Sequence, residues 1–169
     1  APQPVDSCDS SRGGWLYQAF VTNVNDIAPE FTSEATFSAA ENQTAIGTVT
    51  ATDAEGDDVT FTVSGTELAI TSAGVLTFSS APDYETKATY TATLTASDGT
   101  NSTTQGITVN ITDVNEAPTF TSSATFSAAE NQTSIGSVVV SDPESASLTY
   151  SLSGLDNDSF SISISGELT

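Results

Sequence analysis

Apolar and polar positions alternate with a period of two along most of this chain, and Val, Ile, Phe, Tyr and Thr carry the pattern. In "IGTVTATD" (46–53) Val49 and Ala51 share one face, and in "VTFTVS" (59–64) Val59, Phe61 and Val63 do. "GVLTFS" (74–79) sets Leu76 and Phe78 between polar neighbours. "ATYTATLTAS" (88–97) aligns Tyr90, Ala92, Leu94 and Ala96 against an almost unbroken row of threonine, and "GITVNIT" (106–112) does the same with Ile107, Val109 and Ile111. Threonine suits the outer face of a strand, because its branched Cβ favours extended backbone while its hydroxyl stays with water. No window carries a helical stripe. Six or seven short strands, separated by turns such as "AEGDD" and "SDGTN", predict an all-β antiparallel sandwich.

The pattern occurs twice. "FTSEATFSAAENQTAIG" from Phe31 returns as "FTSSATFSAAENQTSIG" from Phe120, an offset of 89 residues that also relates Asp53 to Asp142 and Glu55 to Glu144. That period exceeds the roughly 20–50 residues of a solenoid repeat and matches one small sandwich domain. The repeat divides the chain into three parts. Residues 1–23 hold the terminal strand of a preceding unit, with Trp15, Tyr17 and Phe20, or a linker; 24–117 hold a complete unit; 118–169 begin a second. "SGELT" at 165–169 matches "AGVLT" at 73–77, so the second unit is expected to stop midway and the chain to be a piece of a longer protein.

Charge narrows the partners. Twenty-two acids face two bases, Arg12 and Lys87, for a net charge of −20. Nucleic acids and anionic membranes are held by Lys and Arg, so neither is a partner for this chain. Cations are. Cys8 is the only cysteine, which rules out a disulfide framework within these residues, and no apolar run is long enough to span a membrane. The N-x-Ser/Thr triplets at Asn42, Asn101, Asn110, Asn131 and Asn157 arise readily in a chain this rich in Ser and Thr.

Asp and Glu are poor strand formers and collect at strand ends. Glu41 at the start of the first strand, "PDYE" (82–85) and "TDVNEAP" (112–118) fall at one end of a sandwich, while "TDAEGDD" (52–58) and "ASDG" (96–99) fall at the other. Stacking two units brings Glu41, Asp83, Glu85, Asp113 and Glu116 of the first against Asp142 and Glu144 of the second, with no Lys or Arg among them. Carboxylates a few ångströms apart repel and raise one another's pKa, and a divalent cation relieves the conflict. Calcium suits such a site, because it takes six to eight oxygens in flexible geometry, at roughly 2.3–2.6 Å. Zinc would want His or thiolate, and the chain has one Cys and no His.

"SAAENQTAIGTV", "DAEGDD", "PDYE", "ASDG" and "DVNEAPTF" together resemble, in order and spacing, a cadherin repeat, over about residues 23–169. The likeness is to the tandem cadherin-like arrays of large bacterial surface proteins. It implies tandem seven-stranded Greek-key sandwiches that bind calcium between repeats, outside the cell. Under it, Glu41, Asp83, Glu85, Asp113 and Glu116 hold ions from the first repeat, and Asn115 adds its side chain. Val114 and Ala117 offer carbonyls, while Asp142 and Glu144 close the site from the second repeat. At the preceding junction Asn25 and Asp26 act with Asp53, Glu55 and Asp98. Asn23 departs from the usual Asp, and "DVNEAP" is one residue shorter than "NVNDIAP".

The implied function is a calcium-rigidified segment of an extracellular adhesion protein. Its partners are neighbouring repeats, with a cell-surface protein or glycan as the adhesion target. The alternative is a spacer or carbohydrate-binding module of a secreted hydrolase, since fold alone does not define function. Asp83 and Glu85 could be posed as an acid pair for sugar hydrolysis, but no cleft-forming insertion accompanies them, and no enzyme activity is expected.

Overall fold

The computed structural model describes residues 24–169, so the terminal strand expected within 1–23 lies outside the described residues. The strands of the first unit are β1 (Glu30–Phe31), β2 (Thr36–Ala40), β3 (Ala45–Thr48), β4 (Ala51–Thr52), β5 (Thr60–Val63), β6 (Leu68–Ile70), β7 (Val75–Phe78), β8 (Thr89–Ser97) and β9 (Ser102–Thr112). One sheet has the order β2-β9-β8-β5, and the facing sheet the order β3-β7-β6. β3 and β4 are two parts of one chain path. It leaves β7 where the Val49 N–H donates to the Gly74 carbonyl at 2.8 Å, and then pairs with β1.

The alternation places side chains as the pattern demands. Leu76, Phe78, Leu94, Ala96, Ile107, Val109 and Ile111 are buried in a core with Val49, Phe61 and Leu68, and the intervening threonines face outward. Two aromatic contacts lock the halves: Phe31 against Phe61 at 6.3 Å, and Phe78 edge-on to Tyr90 at 5.1 Å.

Three elements differ from the sequence reading. Glu41 does not begin a strand but follows β2, which runs parallel to β9 from Thr36↔Thr108 to Ala40↔Thr112. β9 begins at Ser102 rather than near Gly106, because the hairpin ladder with β8 carries polar Ser102–Gln105 into register down to Ser97↔Ser102. β6 is too short for its own alternation to be read, and exists through pairing of Leu68 with Phe78. β8 and β9 then separate Asp98 at one end from Asp113 at the other by about 30 Å at ~3.3 Å per residue.

The second copy repeats this plan in β10 (Thr119–Phe120), β11 (Gly136–Ser137), β12 (Val140–Ser141) and β13 (Glu167–Leu168), with a single 3-10 turn at Asn157–Ser159. Thr119↔Ser141 copies Glu30↔Thr52, and Gly136↔Leu168 copies Gly47↔Leu76. Gly74 and Gly166 occupy the same position: both have positive φ (89° and 80°), and a Cβ on either would lie 2.2 Å from the carbonyl oxygen of Val49 or Val138. Every buried apolar residue of the core cluster lies in the first unit, whereas Phe120, Leu155, Phe160 and Ile164 are exposed.

Two outcomes follow. Gly74→Ala forces both a left-handed alanine and a backbone clash, for about 3 kcal/mol of lost stability, whereas Gly99→Ala, with open space around it, costs about 1 kcal/mol. Paired denaturation curves measure the difference, and equal losses would contradict the close approach. In hydrogen exchange, amides of 118–169 exchange well before those of β8 and β9, and equal protection would refute the placement of the core.

Candidate metal centres

Glu41 anchors the lower end of the first unit and is only 3% exposed. Its Oε2 accepts the Tyr84 N–H at 2.9 Å and its Oε1 the Val114 N–H at 2.7 Å, while its own N–H donates to Thr112 O at 3.2 Å. One carboxylate therefore joins the end of β2, the 82–85 turn and the exit segment. The carboxylates of Glu41, Glu85 and Asp113 converge, each offering an oxygen within 4.8 Å of the others.

A second triad, Glu85, Glu116 and Glu144, meets the same criterion, so Glu85 belongs to both. Glu144 comes from the second copy of the repeat, and its Oε1 accepts the backbone N–H of Glu116 at 2.7 Å. The third triad lies at the opposite end, where Asp53, Glu55 and Asp57 converge in the turn after β4. Asp53 Oδ1 accepts the N–H groups of Glu55 (2.8 Å) and Asp57 (3.3 Å), which curls the turn around its own acid. Glu55 Oε2 in turn accepts the N–H groups of Asp26 (3.1 Å) and Ile27 (3.0 Å).

Of the residues singled out from sequence, Glu41, Glu85, Asp113, Glu116, Glu144, Asp53 and Glu55 fall in these triads. Asp83, Asp142, Asp26 and Asp98 do not. Asp83 Oδ1 instead accepts the Thr86 N–H at 2.9 Å, Asn115 donates to Glu116 O at 2.9 Å, and Asp142 Oδ1 accepts the Ala146 N–H at 3.0 Å. Asp98 Oδ1 accepts the N–H groups of Thr100 (2.7 Å) and Asn101 (2.6 Å), and Asn101 Nδ2 donates to Asn25 Oδ1 at 2.9 Å.

Sequence reasoning passed over Asp57, Asn101 and Asn42 as site residues. Asp57 lay within a quoted acidic run, so its signal was present. Asn101 and Asn42 acquire partners 76 and 74 residues away, which no local pattern reveals.

The electrostatics follow from this crowding. Glu85 accepts a hydrogen bond from its own N–H, but desolvation and the charges of Glu41, Asp113 and Glu144 outweigh it and raise its pKa. For Glu116, the Asn42 amide favours the charged form, yet a hydrogen bond with Glu144, desolvation and the charges of Glu41 and Glu144 prevail, and its pKa is raised. Glu144 is lowered, chiefly by the Glu116 N–H. Desolvation opposes the charge on Asp98, but the N–H groups of Asn101 and Thr100 and the amides of Asn25 and Asn101 lower its pKa overall.

Among the described residues the lone base, Lys87, is engaged elsewhere, 2.6 Å from Glu67 and over the Tyr90 ring. Asp53 Oδ2, Asp57 Oδ2, Asp98 Oδ2, Glu116 Oε2 and Glu144 Oε2 are shielded from solvent and have no hydrogen-bond donor. An oxygen so placed loses its hydration without compensation, and four of the residues that carry one pair up within triads, Asp53 with Asp57 and Glu116 with Glu144, where a cation would supply the missing partner. The donor set, all oxygen with no imidazole or thiolate, is that of a hard divalent ion.

No protein-family model and no curated protein matches the sequence. Solved structures do. Human protocadherin-24 EC1-2 superposes with a TM-score of 0.64 at 25% identity, over 85% of this chain and 79% of that one. Mouse cadherin-23 EC22-24 gives 0.57 at 26% identity, over 86% and 54%, respectively. Drosophila N-cadherin EC1-4 gives 0.57 at 20% identity over 84% and 40%, and bears on the fold alone. The sheets define an immunoglobulin-like all-β sandwich protein, and the likeness in structure makes it a cadherin-like one. No helix among the described residues is long and apolar enough to cross a membrane.

The raised values of Glu85 and Glu116 set a pH dependence. Their contribution to stability is fully present below their ordinary value of 4.5 and is lost as pH rises through their folded values. Glu144 and Asp98 act oppositely: their contribution is lost as pH falls through their lowered values. In metal-free buffer the melting temperature should therefore rise as pH falls from 7 toward 5, and Glu85→Gln should flatten that rise. A melting temperature that falls over this range would refute the idea that carboxylate repulsion controls stability here.

Proposed function

We propose that this chain is a segment of tandem calcium-binding repeats, with its boundary at Asp113–Pro118, that stiffens an extracellular adhesion protein. The observation that carries the reading is the position of Glu85 in two triads, one within the first unit and one reaching Glu144 of the second. An ion in each triad would be bridged by a single carboxylate, and the ion held with Glu144 would tie the two units together. Without ions the same acids repel. The junction then behaves as a hinge when metal-free and as a rigid connection when loaded.

Calcium is the ion favoured by the donors, because carboxylates and backbone carbonyls in irregular positions suit its flexible coordination better than the tight octahedron of magnesium. Asp83, Asn115, Asp142 and the carbonyls of Val114 and Ala117 would complete the shells through adjustments of the turns they occupy. At the other end, Asp53, Glu55 and Asp57, with Asn25, Asp26 and Asp98 close by, would serve the junction with a preceding unit. The neighbouring repeats are thus partners of one another, in the extracellular space where millimolar calcium is available.

Modules of this kind bind calcium at about 10⁻⁴–10⁻³ M. At a hundred times the dissociation constant, binding to the folded state adds about 2.7 kcal/mol. Melting should therefore shift upward in ~10 mM calcium and hardly at all in micromolar calcium or in magnesium. Identical midpoints in chelator, calcium and magnesium would remove the metal reading. Spin labels at Thr91 and Thr149, in a Cys8→Ser background, should give a broad distance distribution in chelator and a narrow one in calcium. Glu85→Ala should keep the distribution broad in calcium while the first sandwich stays folded, and narrowing like the parent would reject the shared-ligand role of Glu85.

A further inference from the structure

Asn42 follows the buried Glu41 and adopts a left-handed conformation, with φ of 61°. Asn131, its counterpart in the second copy, does the same at 64°. Asn tolerates this region better than other side-chain-bearing residues, and Gly tolerates it freely. The turn itself therefore explains only why Asn or Gly stands here. It does not require an amide.

The amide has its own work. Asn42 Nδ2 donates to Glu116 Oε1, across 74 residues of sequence. The backbone N–H of Asn42 donates to Pro82 O at 3.0 Å, which fixes the platform from which the side chain reaches. Glu116 is then held at one oxygen, while its other oxygen, Oε2, is shielded and has no donor. Glu144 is arranged alike: Oε1 accepts the Glu116 N–H, and Oε2 is left without a donor. Both Glu116 and Glu144, on either side of the boundary, thus have one oxygen pinned by the protein and one left over.

We propose that Asn42 is a positioning residue for the boundary cation site: its amide fixes Glu116 Oε1 so that Oε2 is presented, with Glu85 and Glu144, to the ion between the units. The inference rests on the calcium reading above and adds to it a residue that touches no ion. Asn131 has the same left-handed backbone, and no described residue accepts from its amide, so its substitution tests the turn apart from the Glu116 contact.

The test is a calorimetric titration with calcium chloride of the parent, Asn42→Gly and Asn131→Gly chains, with melting curves in chelator alongside. Glycine keeps the left-handed turn and removes only the amide. Asn42→Gly is expected to melt with the parent in chelator yet bind the boundary ion about tenfold more weakly, the usual scale for losing a group that orients a metal ligand. Asn131→Gly is expected to titrate like the parent. If Asn42→Gly also titrates like the parent, or if both variants weaken binding equally, the positioning role is overturned while the calcium reading stands. A parent chain that takes up no calcium overturns both.

Discussion

The structure depends on one buried carboxylate. Glu41 sits almost without solvent exposure at the end of β2, and it is held by two backbone N–H groups from segments 43 and 73 residues away. Removing a carboxylate from water costs several kcal/mol, and charge-assisted hydrogen bonds to it return about 1.5–3 kcal/mol each. The offset therefore needs both donors in place. The 82–85 turn and the exit at Asp113–Val114 are consequently closed around the same side chain. Glu85 and Asp113 are drawn to it by backbone geometry, against their mutual repulsion.

That repulsion gives the two ends of the first unit their character. An all-β sandwich has few places for acids except its turns, and this chain has many acids and almost no bases to neutralise them. Local hydrogen bonds absorb part of the charge: Asp53 is wrapped by its own turn, Asp98 by the Thr100–Asn101 turn, and Asp83 by Thr86. What remains are the outer oxygens, shielded and lacking donors, at both ends of one rigid hairpin. A stack of such units brings like charge to like charge at each boundary. Under the proposed function, a bound cation would turn the same arrangement from repulsive to cohesive.

Much of this was legible in the linear chain. The inward rows Tyr90–Ala96 and Ile107–Ile111 were read correctly because period-two alternation is imposed by the strand itself and needs no partner to be recognised. The β11–β13 pairing in the second copy follows the first in register because the same residues recur around the same left-handed glycine. The site was legible in part. Acids cluster at turns in any register, so Glu41, Glu85, Asp113, Glu116 and Glu144 could be grouped by strand direction alone. Asp83 and Asp142 were grouped with them on the same reasoning, and each also accepts a backbone N–H of its own turn through Oδ1. Which oxygen of a turn acid faces inward depends on rotamers and N–H directions that alternation does not encode.

Composition and period by themselves determined an acidic, repeated β-sandwich whose acids gather at its ends, because charge sums and strand periodicity are local properties of the chain. Tertiary structure decided the rest. The parallel docking of β2 on β9 buries Glu41, and the reach of Asn42 to Glu116 and of Asn101 to Asn25 joins distant turns. The crossing of Glu144 into the first unit's acids makes Glu85 common to two clusters. Each of these is a contact between segments far apart in sequence, and its energy depends on distances of a few ångströms that exist only once the sheets have packed.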